Sequence, residues 1–171
     1  MPPALDLSLD LSLDAAALTA AICDIPSVSQ DEGALADALE QVLRALPQLT
    51  VTRIGHTLVA RTSLGRAERV VLAGHIDTVP LTAEPANLPT KRVGEGAGEV
   101  LWGRGTVDMK GGVAVQLRIA HLVREPNRDI TFVFYEGEEI DSEYNGLLHV
   151  QQQAPELIAD YRRDGHVLMR R

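Results

Sequence analysis

The continuous apolar run Val70-Val71-Leu72-Ala73 passes without a break into Gly74-His75-Ile76-Asp77-Thr78-Val79-Pro80. A strand that is apolar at successive positions, rather than at alternate ones, belongs inside a sheet with both faces covered. The chain must therefore sandwich a sheet between helices, and the polar block after the strand is delivered to the sheet's rim. A second strand expected over residues 129–135 runs in the same way into Tyr135-Glu136-Gly137-Glu138-Glu139-Ile140-Asp141. A third block, Gly103-Arg104-Gly105-Thr106-Val107-Asp108-Met109-Lys110-Gly111-Gly112, follows a short strand expected over 99–102.

Between these strands the pattern is helical. Asp14 reads as the N-cap of a helix running to about residue 24 and stopped by Pro26. Residues 31–46 place Leu35, Leu39, Val42, Leu43 and Leu46 on one helical face, and Pro47 ends the helix. Strands are expected over 49–54 and 57–61, joined by a hairpin turn at Gly55-His56. Further helices are expected over 111–123 and 145–153, with a long connection containing Pro and Gly over 81–98. Helices that interleave with strands give an α/β fold with a mixed sheet flanked by helices. Residues 14–159 carry this pattern. The duplicated Leu-Asp-Leu-Ser of residues 1–13 reads as a frayed low-complexity lead-in, and residues 160–171, with four arginines, as a solvated divergent tail.

Composition narrows the partners. Within 171 residues of 45% hydrophobic content the net charge is −8, with no run of Lys and Arg. That balance argues against nucleic acid or an anionic membrane surface as partner. No apolar run approaches the ~20 residues that cross a bilayer, and the N-terminus lacks the basic start of a secretory signal. The expected location is the cytoplasm. The one cysteine, Cys23, lies in an apolar helical stretch and reads as a reduced core thiol.

Each block has an ordinary structural reading when taken alone. His75 and Asp77, two apart on extended backbone, project to one side and suit a metal ligand with its supporting acid, or simply a polar strand end. Asp108 between glycines suits a carboxylate bridging two ions, or the cap of the helix that follows. Glu138 and Glu139 suit a proton-transferring carboxylate beside a ligand, or a solvated acidic loop. The glycine spacing does not fit a phosphate-cradling loop, because no Gly-Lys-Ser/Thr follows. Jointly the blocks weigh more. If each follows a strand of the parallel part of the sheet, all converge on one rim, where α/β folds hold their ligands.

With these blocks the sequence resembles the dinuclear zinc aminoacylase and carboxypeptidase family. The resemblance extends over most of residues 14–159, including Ile25-Pro26-Ser27-Val28-Ser29 and Glu125-Pro126-Asn127-Arg128-Asp129. It implies a zinc-exopeptidase-like catalytic domain with two Zn2+ per site, Co2+ being an alternative. His75 would ligate the first ion with Asp77 behind it, Asp108 would bridge both, Glu139 would ligate the second, and Glu138 would be the general base. The wider similarity is to members that hydrolyse the amide of N-succinyl-LL-2,6-diaminopimelate, giving succinate and LL-2,6-diaminopimelate for lysine synthesis. Another N-acyl amino acid or a dipeptide is the alternative substrate, and a non-catalytic fragment with residual metal binding the alternative role. Family members are roughly twice as long. The resemblance therefore implies a truncated N-terminal part lacking one further carboxylate ligand, a final His ligand and the homodimer interface, with an unpaired sheet edge left behind.

Overall fold

The computed structural model describes residues 9–159, which form a four-stranded mixed sheet with helices on both faces and a small two-stranded sheet beside it. The main sheet is built from β1 (Thr50–Ile54), β2 (Thr57–Arg61), β3 (Arg69–His75) and β6 (Asp129–Tyr135), in the order β1-β2-β6-β3. The β1–β2 hairpin turns at Gly55, whose φ of 61° favours a residue without Cβ. Strands β2 and β6 are antiparallel, whereas β3 and β6 are parallel with Arg69 opposite Asp129 and His75 opposite Tyr135. The small sheet pairs β4 (Lys91–Val93) with β5 (Val100–Trp102).

One face of the sheet carries most of the core. Helices α1 (Ala15–Cys23), α2 (Gly33–Arg44) and α3 (Lys110–Leu122) bury Leu18, Ile22, Leu35, Leu39, Leu43, Val113 and Leu117 against Leu58, Phe132 and Phe134. Each such side chain contributes roughly 1.5–3 kcal/mol relative to an exposed one. Asp14 caps α1 through Ala17 N at 2.8 Å, and Cys23 is fully buried as a free thiol. Burial pushes that thiol up to about 11. The opposite face is thinner. There α4 (Gly146–Gln153) and the residues after it set Val150 and Ile158 on Val59, Val71 and Val133.

Three expectations change here. The run Val70 to Ala73 is not the central strand: among the described residues β3 pairs with β6 alone, and β2 and β6, the latter buried along nearly its whole length, are the interior strands. A uniformly apolar run reports covered faces, and faces can be covered at an edge as well. Residues 9–13 are not frayed: Leu11 is buried, Leu9 and Leu13 pack on the core, and Arg118 Nη1 donates to Leu11 O at 2.8 Å and Ser12 O at 3.1 Å. The alternation that looked like low complexity places leucines inward. Strand β4 lies in what read as connection. The tail expected over 160–171 lies outside the described residues.

At the N-terminal ends of β3 and β6, Asp129 ties down the connection from β2 to β3. Its carboxylate accepts from Thr62 Oγ1 at 2.6 Å, Leu64 N at 2.8 Å and Arg66 N at 2.9 Å. Burial opposes its charge, but these donors hold the carboxyl down to about 2. No helix among the described residues is long and apolar enough to cross a membrane.

Candidate metal centre

The parallel strands β3 and β6 end together, and Ile76 N still reaches Tyr135 O at 2.8 Å one residue further on. The chain then opens on both strands at once, so the first and third blocks share one rim. His75 is the last residue of β3, 2% exposed, with its ring edge-on to Tyr135 at 6.1 Å. Its Nδ1 lies 3.1 Å from Asp77 O and 3.3 Å from Asp77 Oδ1. Its Nε2 lies 3.0 Å from Asp108 Oδ1. Burial alone would lower the imidazole, but Asp77 and Asp108 on its two sides raise it to about 9.

Asp77 organises the rim. Fully buried, its carboxylate accepts from Ser29 Oγ at 2.7 Å, Glu138 N at 3.0 Å and Glu139 N at 3.1 Å, besides facing His75. Burial raises it, yet these hydrogen bonds outweigh burial and hold it down to about 2. One carboxylate therefore fixes the imidazole and the backbone carrying both glutamates. Ser27 and Ser29 brace the same block: Ser27 Oγ donates to Ile76 O at 2.6 Å, and Ser29 N donates to Thr78 O at 3.1 Å.

The third block turns on Gly137, at φ 66°, where a Cβ would stand 2.3 Å from Tyr144 O. Only glycine fits that turn. Gly137 N donates to Glu32 Oε1 at 3.3 Å. Glu32 is itself buried, and burial, with Asp77 and Glu136 adding to it, raises its carboxyl. Glu138 and Glu139 follow, both half-buried. Burial raises the Glu139 carboxyl; nearby His75 works against this, while Asp108, Glu138 and Asp77 add to it.

The second block arrives differently from the expectation that all three follow strands of one parallel sheet. It leaves β5 of the small sheet and reaches the rim as a loop, held by Arg104 N on Asn87 O at 2.9 Å and Lys110 N on Gly105 O at 2.8 Å. Asp108 ends it with a side chain 76% exposed, and its peptide to Met109 is cis. Behind it Lys110 is buried and its Nζ donates to Ile25 O at 3.0 Å; burial lowers the ammonium to about 8.

The outcome is one cluster. Ligand atoms of His75, Asp108 and Glu139 lie within 4.8 Å of one another. Of the three, Asp108 and Glu139 line a cavity of about 360 Å³ that Thr78, Val79, Arg104 and Val107 also line. Glu32, His56 and Glu136 form a second such group, but none of them lines this cavity, and Arg53 Nη2 already stands 3.3 Å from His56 Nδ1. Sequence reasoning quoted Ser27 and Ser29 only for the family resemblance and gave neither them nor Glu32 a place in the site. Their signal was present only as hydroxyls and an acid among the residues after Pro26, with no spacing that ties them to a rim far along the chain.

A protein of Mycobacterium tuberculosis is 45% identical over 152 residues, covering 88% of this chain and 41% of its own. The succinyl-diaminopimelate desuccinylase of Corynebacterium glutamicum is 45% identical over 156 residues, covering 88% of this chain and 40% of the relative. The chain thus spans about two-fifths of the length of the curated relatives it matches. Two solved structures share its fold: the M20 family metallo-carboxypeptidase Sso-CP2 of Sulfolobus solfataricus and a tripeptidase of Staphylococcus aureus. The first has TM-score 0.68 at 17% identity, covering 85% of this chain and 35% of that one. The second has TM-score 0.64 at 23% identity, covering 87% and 41%. The profile of peptidase family M20/M25/M40 matches residues 71–168, a span that holds all three blocks of the rim, and the chain belongs to that family.

Proposed function

We propose that this rim is the metal centre of an amide hydrolase, with N-succinyl-LL-2,6-diaminopimelate as substrate and succinate and LL-2,6-diaminopimelate as products. The observation that carries the reading is the convergence of one imidazole nitrogen and two carboxylates within 4.8 Å, beside the adjacent Glu138. The donor set fits borderline-hard divalent cations such as zinc or cobalt. His75 has its Nδ1 held by Asp77, which is how a ligating histidine is oriented. The succinyl substrate is supported by the name and the 45% identity of the Corynebacterium relative.

In this reading His75, Asp108 and Glu139 would hold the ions. When bound, the ions supply Lewis acidity toward the amide carbonyl and toward an attacking water. Glu138 would take a proton from the attacking water and return it to the leaving amine, a task for a carboxylate whose backbone is pinned beside the site. Asp77 stays ionised throughout and keeps His75 and both glutamate backbones in register. The reading carries with it a cytoplasmic location.

A second reading has a specific observation behind it. Among the described residues the cluster provides one imidazole and two carboxylates for a pair of ions. Metal binding without turnover is therefore the competing role. Succinate release from the substrate by the 171-residue chain with added zinc, beside Glu138→Ala, separates the two. A rate abolished by that substitution supports hydrolysis by this chain. Bound zinc with no rate above the Glu138→Ala background supports metal binding alone.

A further inference from the structure

Two serines of one short segment hold the first block, and they hold different atoms of it. Residues 27–29 run beside residues 76–78 with a parallel bridge at Val28 and Thr78; Thr78 N donates to Ser27 O at 3.0 Å and Ser29 N to Thr78 O at 3.1 Å. These main-chain bonds place both serines independently of their side chains. Ser27 Oγ then donates to a main-chain carbonyl, Ile76 O, at 2.6 Å. Ser29 Oγ donates instead to the Asp77 carboxylate, at 2.7 Å to Oδ2. A hydroxyl carries one hydrogen, and the other acceptor near Ser29 Oγ, Thr78 O, stands farther off at 3.4 Å.

A carboxylate offers about four acceptor positions, and on fully buried Asp77 each faces a donor. Oδ1 faces Glu138 N at 3.0 Å and His75 Nδ1 at 3.3 Å. Oδ2 faces Glu139 N at 3.1 Å and Ser29 Oγ at 2.7 Å. Three of these donors are the very groups that Asp77 has to position. Ser29 comes from another part of the chain, and its contact is the shortest of the set. The last torsion of an aspartate is broad, so a carboxylate turns readily to follow what it binds. A donor anchored elsewhere fixes that turn. With Oδ2 held from outside, Oδ1 stays toward the imidazole, which is how an acid behind a ligating histidine orients the ring.

We infer that Ser29 is a positioning residue of the candidate metal centre: its hydroxyl sets the turn of the Asp77 carboxylate, and through it the His75 ring and the backbone of Glu139. Ser27, bonded to a main-chain carbonyl, is a brace of the fold alone. The effect on metal affinity rests on the reading of His75 and Glu139 as ligands, whereas the hold on Asp77 does not.

The test compares Ser29→Ala with Ser27→Ala in the 171-residue chain. Each removes one short hydrogen bond, so each should lower Tm by roughly 3–6 °C. A merely structural role for Ser29 ends there. A positioning role predicts in addition that Ser29→Ala weakens zinc about tenfold, measured against a competing chelator at a temperature where both variants are folded. Ser27→Ala should weaken zinc no more than about twofold, and Ser29→Thr, which keeps the hydroxyl, should stay within about twofold of the intact chain. In the metal-free chain, hydrogen exchange at the Glu138 and Glu139 amides should quicken about fivefold or more in Ser29→Ala and less than about twofold in Ser27→Ala. Amide exchange that is equal in the two variants overturns the assignment, as does a zinc affinity that falls alike in both or in neither. An intact chain that binds no zinc counts against the candidate metal centre instead, and the amide exchange still decides the role of Ser29.

Discussion

The two halves of the candidate metal centre are built to opposite standards. On one side, Asp77 is fully buried and holds His75, Ser29 and the backbone of both glutamates through contacts of 2.7–3.3 Å. On the other, Asp108 stands 76% exposed at the end of a loop from a separate two-stranded sheet, beside a Val107 that is 92% exposed. The first half is an extension of the core, positioned by the same strands that bury Phe132 and Phe134. The second is brought in from outside and meets the first through a 3.0 Å contact from Asp108 to His75. Preorganisation of half a site costs fold stability when disturbed, whereas the exposed half can change ligands without consequence for the fold.

Substitutions can break that contrast. Asp77→Ala should cost about 3–5 kcal/mol in denaturant unfolding, because it strands a serine hydroxyl, two N–H groups and an imidazole in a buried place. A loss below ~1 kcal/mol would show that the buried half is not part of the core. Gly137→Ala should cost about 2–3 kcal/mol by the same measurement, since a Cβ at a positive φ would press on Tyr144 O.

A smaller effect comes from the far end of the same strands. The Asp129 carboxyl, held at about 2 against an ordinary 3.8, contributes about 2 kcal/mol. Its folded value is depressed, so the contribution is complete above the ordinary value and is lost as pH falls from about 4 through about 2. Asp129→Asn should flatten that part of the stability-against-pH curve while leaving zinc binding intact. Asp108→Asn sharpens the contrast from the other side. It should move unfolding by no more than about 0.5 kcal/mol and yet lower zinc affinity, as titration against a competing chelator would show.

The same contrast explains what was legible in the sequence. The strands over 57–61 and 129–135 stand where local pattern places them, because burial on both faces leaves a strong apolar signal. The helix at Asp14 does so as well, since its cap is a local hydrogen bond. His75, Asp108, Glu138 and Glu139 stood out because each sits in a block of glycines and acids that few cores tolerate. What stayed hidden is long-range. Ser29 meets Asp77 and Glu32 meets Gly137 across 48 and 105 positions of chain, and no periodicity connects residues that far apart. The edge position of β3 was hidden for the same reason: strand order is decided by which partners arrive, and the apolar content of a strand does not record its neighbours. Residues 9–13 misled in the other direction, since a short alternating repeat looks identical whether its leucines face a core or water.

Cys23 supplies a clock for the whole assembly. It sits at the end of α1, fully buried, with a thiol held up at about 11. In the closed protein at neutral pH it offers a modifying reagent neither access nor thiolate. Any labelling at this lone cysteine therefore counts openings of the α1–α3 face, and its rate reads out how often the helical layer lifts from the sheet beneath the candidate metal centre.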